Sequence, residues 1–210
     1  MERTGLAMNV TKRGGYVLLA LAAMAVAYAM VWAQLGLGLP GVIAAGALAL
    51  ASVGLIHICH ILRPDQRMWG QLQIRHFLVF MLAIVAVQVV CLQVRIAFGD
   101  HDAGAQITRE MLKANALGVL VAAPLFEEVI FRGLLWRAVE FGKGRLATVM
   151  TVIVTAAVFA LFHSQSNIAQ LALLGAVGII LGVARVVSGG LALPIALHIA
   201  MNIYVAVVSL

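Results

Sequence analysis

Seven long apolar stretches run along the chain, at Tyr16 to Leu35, Gly41 to Leu62, Phe77 to Phe98, Asn115 to Val139, Leu146 to His163, Ile168 to Val187 and Leu191 to Leu210, with short polar segments between them. Each is close to the roughly 20 residues that a helix rising about 1.5 Å per residue needs to cross the hydrocarbon core of a bilayer. Strands of a membrane barrel would show segments of about ten residues with alternating polarity, and these Ala, Leu, Val and Ile runs do not alternate. The pattern predicts an all-α fold, a polytopic transmembrane bundle of about seven helices. No fixed-period repeat or low-complexity linker interrupts it, so residues 1–210 read as a single domain.

Composition points the same way. The chain is 64% hydrophobic and 10% charged, with a mean hydropathy of +1.08, whereas a soluble domain is about half apolar and a quarter charged. Disorder is excluded, because disordered chains are poor in hydrophobic residues. A net charge of +6 would suit nucleic acid if the cations formed a stripe, but 14 Lys and Arg scattered between apolar runs make none. Nucleic acid is therefore not expected as a partner, and the lipid bilayer is.

The placement of those cations sets the orientation. Arg3, Lys12, Arg13, Arg63, Arg67, Arg75, Arg137, Lys143, Arg145 and Arg185 flank the spans on one side. Arg95, Arg109 and Lys113, diluted by Asp100, Asp102 and Glu110, lie on the other. This asymmetry puts the N-terminus in the cytoplasm. Trp32, Trp69 and Trp136 fall near helix ends, as interfacial aromatics do. The first run, with Ala27-Tyr28-Ala29 mimicking a cleavage site, is longer than the roughly 7 to 15 residues of a signal-peptide core and reads as a retained helix. The protein is thus expected to be an integral, multi-pass membrane protein, in the inner membrane if its source is bacterial. Cys59 and Cys91 lie within spans and read as small buried hydrophobes. In the sizeable loop Gly99 to Lys113, Ile107, Met111 and Leu112 are spaced for a short interfacial helix leading into the fourth span.

Ionisable groups inside a span cost at least about 2.5–3.5 kcal/mol each on insertion scales, so each one marks a candidate functional site. The fourth span carries Glu127 and Glu128 in its middle, followed by Arg132. Glu128 and Arg132 are four residues apart and can pair along one helix face. Glu127 is turned about 100° from Glu128 and has no partner on its own helix one turn away, which suits it to act as a general acid or base. His163 ends the fifth span, and His198 and Asn202 share one face of the seventh. Counted from the cytoplasmic ends at about 1.5 Å per residue, Glu127, His198 and Asn202 lie at about 17, 10 and 16 Å, but His163 at about 25 Å. His57 and His60 read as core residues, and His76 and His101 as solvated loop residues.

Glu127-Glu128-x-x-x-Arg132, Phe159-x-x-x-His163 and His198-x-x-x-Asn202, in that order on three membrane helices, resemble the motifs of the CAAX protease and bacteriocin-processing enzyme family. This family of intramembrane endopeptidases includes the type II CAAX prenyl protease. The resemblance covers roughly Asn115 to Leu210, the motif-bearing core, and leaves the first three spans matched as hydrophobic helices alone. It implies that Glu127 and His163 activate a water for attack on a scissile carbonyl, that His198 and Asn202 stabilise the oxyanion, and that Glu128 and Arg132 support the site. Peptide hydrolysis needs just such a base and a pair of donors at low dielectric.

A zinc-dependent version of the same protease would draw on Glu127, His163 and His198 with an open fourth position. The two histidines stand on different helices, unlike the paired histidines of H-E-x-x-H, so a metal-free glutamate-type mechanism is favoured and no cofactor is expected. The expected substrate is a membrane-anchored protein or peptide cut near its C-terminus. The alternatives are a non-catalytic membrane immunity protein that keeps the fold, and a transporter using the same groups as a proton relay.

Overall fold

Among the described residues of the computed structural model, which are 13–26, 29, 40–62, 68–97, 109–142, 144–163 and 168–209, the chain forms helices and no strand. Seven helices follow in order: α1 (Arg13–Val26), α2 (Gly41–Leu62), α3 (Ile74–Ala97), α4 (Glu110–Val139), α5 (Arg145–His163), α6 (Ile168–Ser188) and α7 (Ala192–Ser209). Five of them, α2 to α6, are long and apolar enough to cross a membrane, and α1 and α7 are shorter apolar helices. The all-α bundle read from the apolar runs is therefore present, and the chain is an integral, multi-pass membrane protein. Of the residues used above, Arg3, Lys12, Ala27, Tyr28, Trp32, Arg63, Arg67, Asp100, His101, Asp102, Ile107 and Lys143 lie outside the described residues.

Burial runs in the order expected of a bundle in lipid rather than in water. Leu50, Leu78, Leu82, Leu146 and Ile168 are exposed, where apolar chain ends meet acyl tails at no cost. The most thoroughly buried helix is α4: Val129 to Ala138 are all buried, Arg132 and Arg137 among them. α5 and α6 pack most extensively on each other, and glycine makes this possible. A methyl group on Gly178 would lie 3.0 Å from the Ala156 main chain, and one on Gly182 3.1 Å from Val152. Bare glycines four apart let the two backbones approach.

Arg13, Arg137 and Arg185, three of the cations read as cytoplasmic, lie at one end of the bundle. Arg13 donates to the Glu140 carbonyl at 2.8 Å and Arg137 to the Cys59 carbonyl at 3.1 Å. Trp136 departs from expectation: it is buried, with the Arg185 guanidinium 4.6 Å above its ring, whereas Trp69 is exposed as an interfacial residue would be. Cys59 is buried and free, and Cys91 is free and partly buried. The interfacial helix read at Met111 and Leu112 is present as the first turns of α4. It ends at Asn115, which leaves helical geometry (φ −160°, ψ 61°) and accepts the Gly118 N–H at 2.9 Å. That is an N-cap, and it starts the membrane-crossing part of α4.

At the same end as the cations, the loop before α3 is stitched to the loop before α7. Gln71 N–H donates to Ser188 O at 2.8 Å, Leu191 N–H to Met68 O at 2.8 Å and Ala192 N–H to Trp69 O at 3.0 Å. Gly70, at φ +66°, sits at the crossing, where an added methyl would overlap the Ser188 carbonyl and the Gly190 backbone. Gly70→Ala is therefore expected to lose about 1–2 kcal/mol from the left-handed backbone and a further ~1–3 kcal/mol from overpacking. A thermal melt in detergent, read against Gly14→Ala on an open surface, checks it.

Candidate active site

The site is built around a distorted stretch of α4. Two segments of wide, π-type winding, Gly118–Ala122 and Val129–Leu135, flank Glu127 and Glu128. The first has a visible cause. Ala123 N–H reaches back five residues to Gly118 O, and Pro124 has no N–H to offer, so the carbonyl of Val119 loses its main-chain donors. Asn202 of α7 supplies one, its Nδ2 donating to Val119 O at 2.9 Å. In the second segment Trp136 N–H bonds to Phe131 O, and the carbonyl of Arg132 accepts Nε of Arg185 from α6. A neighbouring helix thus satisfies a carbonyl released by each wide turn, and widened turns of this kind recur at functional sites.

Glu128, Arg132 and His198 form the closed half of the site. Glu128 Oε1 accepts from Arg132 Nη1 at 2.8 Å and from His198 Nδ1 at 2.8 Å, and the side chains of Glu128 and Arg132 are 0% exposed. Arg132 Nη2 also donates to the Gly178 carbonyl at 3.0 Å, and its guanidinium lies 4.7 Å from the centre of the Phe159 ring. Burial of both charges is tolerable because each is met by several partners. Since Glu128 accepts, His198 carries a hydrogen on Nδ1, which turns Nε2 toward Glu127.

Glu127 and His163 form the open half. Glu127 Oε2 lies 3.3 Å from His163 Nε2 and 3.7 Å from His198 Nε2. Their side chains are 21% and 28% exposed, against 4% for His198, so this pair lies on the open side of the site. His163 Nδ1 donates to the Phe159 carbonyl at 2.9 Å, which fixes the ring and presents Nε2 to Glu127. A bare lone pair facing a carboxylate oxygen would be repelled, so this contact holds a proton. Phe159 is the hub beneath, in ring contact with His163 at 4.6 Å, Phe131 at 5.2 Å and His198 at 5.9 Å.

Glu127, Glu128, Arg132, His163 and His198 are therefore brought together, with Asn202 four residues after His198 on α7, and there are three differences from the reading above. Glu127 lacks a partner on its own helix, as read, but two imidazoles from other helices face it. The depth offset counted for His163 does not part it from Glu127, since the two side chains meet at 3.3 Å. Asn202 does not stand free, one of its amide hydrogens being held by Val119. Sequence reasoning missed Arg185, which looked like one more cytoplasmic cation, and the Val119 and Arg132 carbonyls, for which Pro124 was the available signal. Among the described residues no three His, Cys, Asp or Glu side chains are grouped as a metal site requires.

A curated relative, the "Uncharacterized 24.3 kDa protein" of Escherichia coli, is 40% identical over 85 residues, which cover 39% of this chain and 38% of that protein. The chain therefore spans about two-fifths of the length of the relative it matches. No solved structure matches it. The model of the type II CAAX prenyl endopeptidase Rce1-like family matches residues 110–204, a stretch that contains Glu127, Glu128, Arg132, His163, His198 and Asn202. From the N-cap region of α4 to the Asn202 turn of α7, then, this chain is similar to the type II CAAX prenyl endopeptidase Rce1-like family.

Proposed function

We propose that the protein is an intramembrane endopeptidase that hydrolyses a peptide bond of a membrane-anchored protein or peptide, near its C-terminus, without a metal. The observation that carries this reading is the Glu127–His163 pair, 3.3 Å apart, partly open to water and set against a buried, neutralised Glu128–Arg132 pair. Water entering between Glu127 and His163 gives up a proton to the pair while its oxygen attacks the scissile carbonyl. The same proton is then handed to the leaving amine as the C–N bond breaks.

The developing oxyanion needs donors in a region of low dielectric. Asn202 has two amide hydrogens, and Val119 O holds one, which orients the other. His198 spends its Nδ1 hydrogen on Glu128, so it donates from Nε2 as an imidazolium, and the carboxylate of Glu128 stabilises that form. Glu128 and Arg132 act through His198 and through the shape of α4 as positioning residues. A zinc reading, with Glu127, His163 and His198 as ligands, leaves Asn202 without a chemical task.

The test is cleavage of a membrane-anchored peptide library by purified protein in liposomes. Cleavage is expected to persist in chelator and to vanish in His163→Ala. Loss with chelator and recovery with zinc would overturn the metal-free mechanism. No cleavage of any member by the unmodified protein, with the fold intact, would favour the non-catalytic alternative.

A further inference from the structure

Away from the site, at the cytoplasmic end of α4, two guanidinium groups are embedded in the bundle with no acid bound to either. Arg137 is 3% exposed, donates Nη1 to the Cys59 carbonyl at 3.1 Å, and has a buried Nε with no partner. Arg185 lies within electrostatic reach of Arg137 and of Glu140. It uses Nε on the Arg132 carbonyl and lays its plane 4.6 Å over Trp136. Among the described residues its two Nη nitrogens make no hydrogen bond or ion pair, and it is partly exposed. Arg13 adds a third cation at the rim, through its 2.8 Å bond to the Glu140 carbonyl. Among the described residues one carboxylate stands in reach of these three charges, that of Glu140, which leaves the described group at +2.

Charges at this depth are normally paired, because an uncompensated cation beside hydrocarbon is costly. Arg137 is ten residues from Glu127 along α4, about 15 Å, so this group is separate from the active site. It lies at the level where the Lys and Arg distribution places the cytoplasmic head groups, and basic pockets between membrane helices on that side bind anionic head groups. We propose that Arg185 and Arg137, with Arg13 at the rim, form a binding site for the phosphate of an anionic phospholipid. The free fork of Arg185 makes the direct contact, the flat stack on Trp136 holds that fork in place, and Arg137 adds charge from behind. A guanidinium is suited to this, since it offers paired donors to phosphate oxygens. The lipid occupant follows from the place of the group, at a bilayer surface where phosphate is always present.

The experiment is native mass spectrometry of the purified full chain in detergent, titrated with phosphatidylglycerol and, separately, phosphatidylcholine of the same acyl chains. With two arginines engaged, phosphatidylglycerol is expected to bind about thirtyfold more tightly than phosphatidylcholine. Arg185→Gln is expected to lower that preference about fivefold. Arg185→Lys should keep most of it, and Arg145→Gln, at the exposed start of α5, should leave it unchanged. Because Arg185 also braces α4, Arg13→Gln on the exposed rim is measured as a second variant and should lower the preference in the same direction. Equal binding of the two lipids, or a preference that survives both Arg185→Gln and Arg13→Gln, would overturn the proposal. So would displacement of phosphatidylglycerol by a peptide with a free C-terminal carboxylate but not by its amide, which would make the pocket a substrate carboxylate site.

Discussion

Glu127→Gln is expected to lower kcat/KM for a cleaved membrane peptide by at least about a thousandfold, toward the upper end of what general base catalysis contributes. Glutamine keeps the volume of the side chain and can still meet an imidazole N–H, but its amide cannot take the proton of the attacking water. The fold should be untouched, because the Glu127 side chain is 21% exposed and the charges that hold the bundle are those of Glu128 and Arg132. A melting temperature within about 2 °C of the parent protein, less than a 1 kcal/mol change produces at this size, separates loss of chemistry from loss of structure. If Glu127→Gln keeps activity within tenfold of the parent while folded, Glu127 is not the group that activates water. His163→Ala should show the same pattern, with cleavage lost and the melting temperature kept.

Arg132→Leu is expected to act on the fold. The guanidinium meets Glu128 Oε1 at 2.8 Å and the Gly178 carbonyl at 3.0 Å, and both members of the ion pair are 0% exposed. Removing it strands the Glu128 carboxylate in the bundle, and breaking a buried pair from one side costs about 3–5 kcal/mol. Most of the protein should then aggregate on extraction, as size-exclusion chromatography reads directly. Arg132→Lys should recover only part of the loss, since a point charge cannot span Glu128 and Gly178 as a planar fork does. The double variant Glu128→Gln with Arg132→Met should be better folded than Arg132→Leu, because no unpaired charge remains, and the departure from additivity measures the coupling. An Arg132→Leu protein that is monodisperse and melts with the parent would show that the pair is not structural.

The two carboxylates, adjacent in sequence, have opposite surroundings, which is the basis for proposing opposite tasks. Glu128 is shut in with two donors on one oxygen. Glu127, about 100° round the helix, is 21% exposed and faces His163. The spacing of Arg132 four residues after Glu128 indicated this division in advance, because an ion pair can form along one helix face and Glu127 lies off it.

The sequence by itself determined the class of the fold, the chain segments that form helices and the short set of polar residues to inspect. The physical reason is the bilayer: with no water in the hydrocarbon, backbone groups must be satisfied within each helix, so apolar length alone reports each crossing. The same solvent makes every intramembrane charge conspicuous, which is why Glu127, Glu128 and Arg132 stood out. What only the tertiary structure decided was which polar groups meet. Helix packing brought His163 to Glu127, and the wide turns of α4, one of them following from the missing N–H of Pro124, opened carbonyls that Asn202 and Arg185 fill. Those contacts join residues 36 to 83 positions apart on different helices, set by packing details such as the bare faces of Gly178 and Gly182, and no local pattern encodes them.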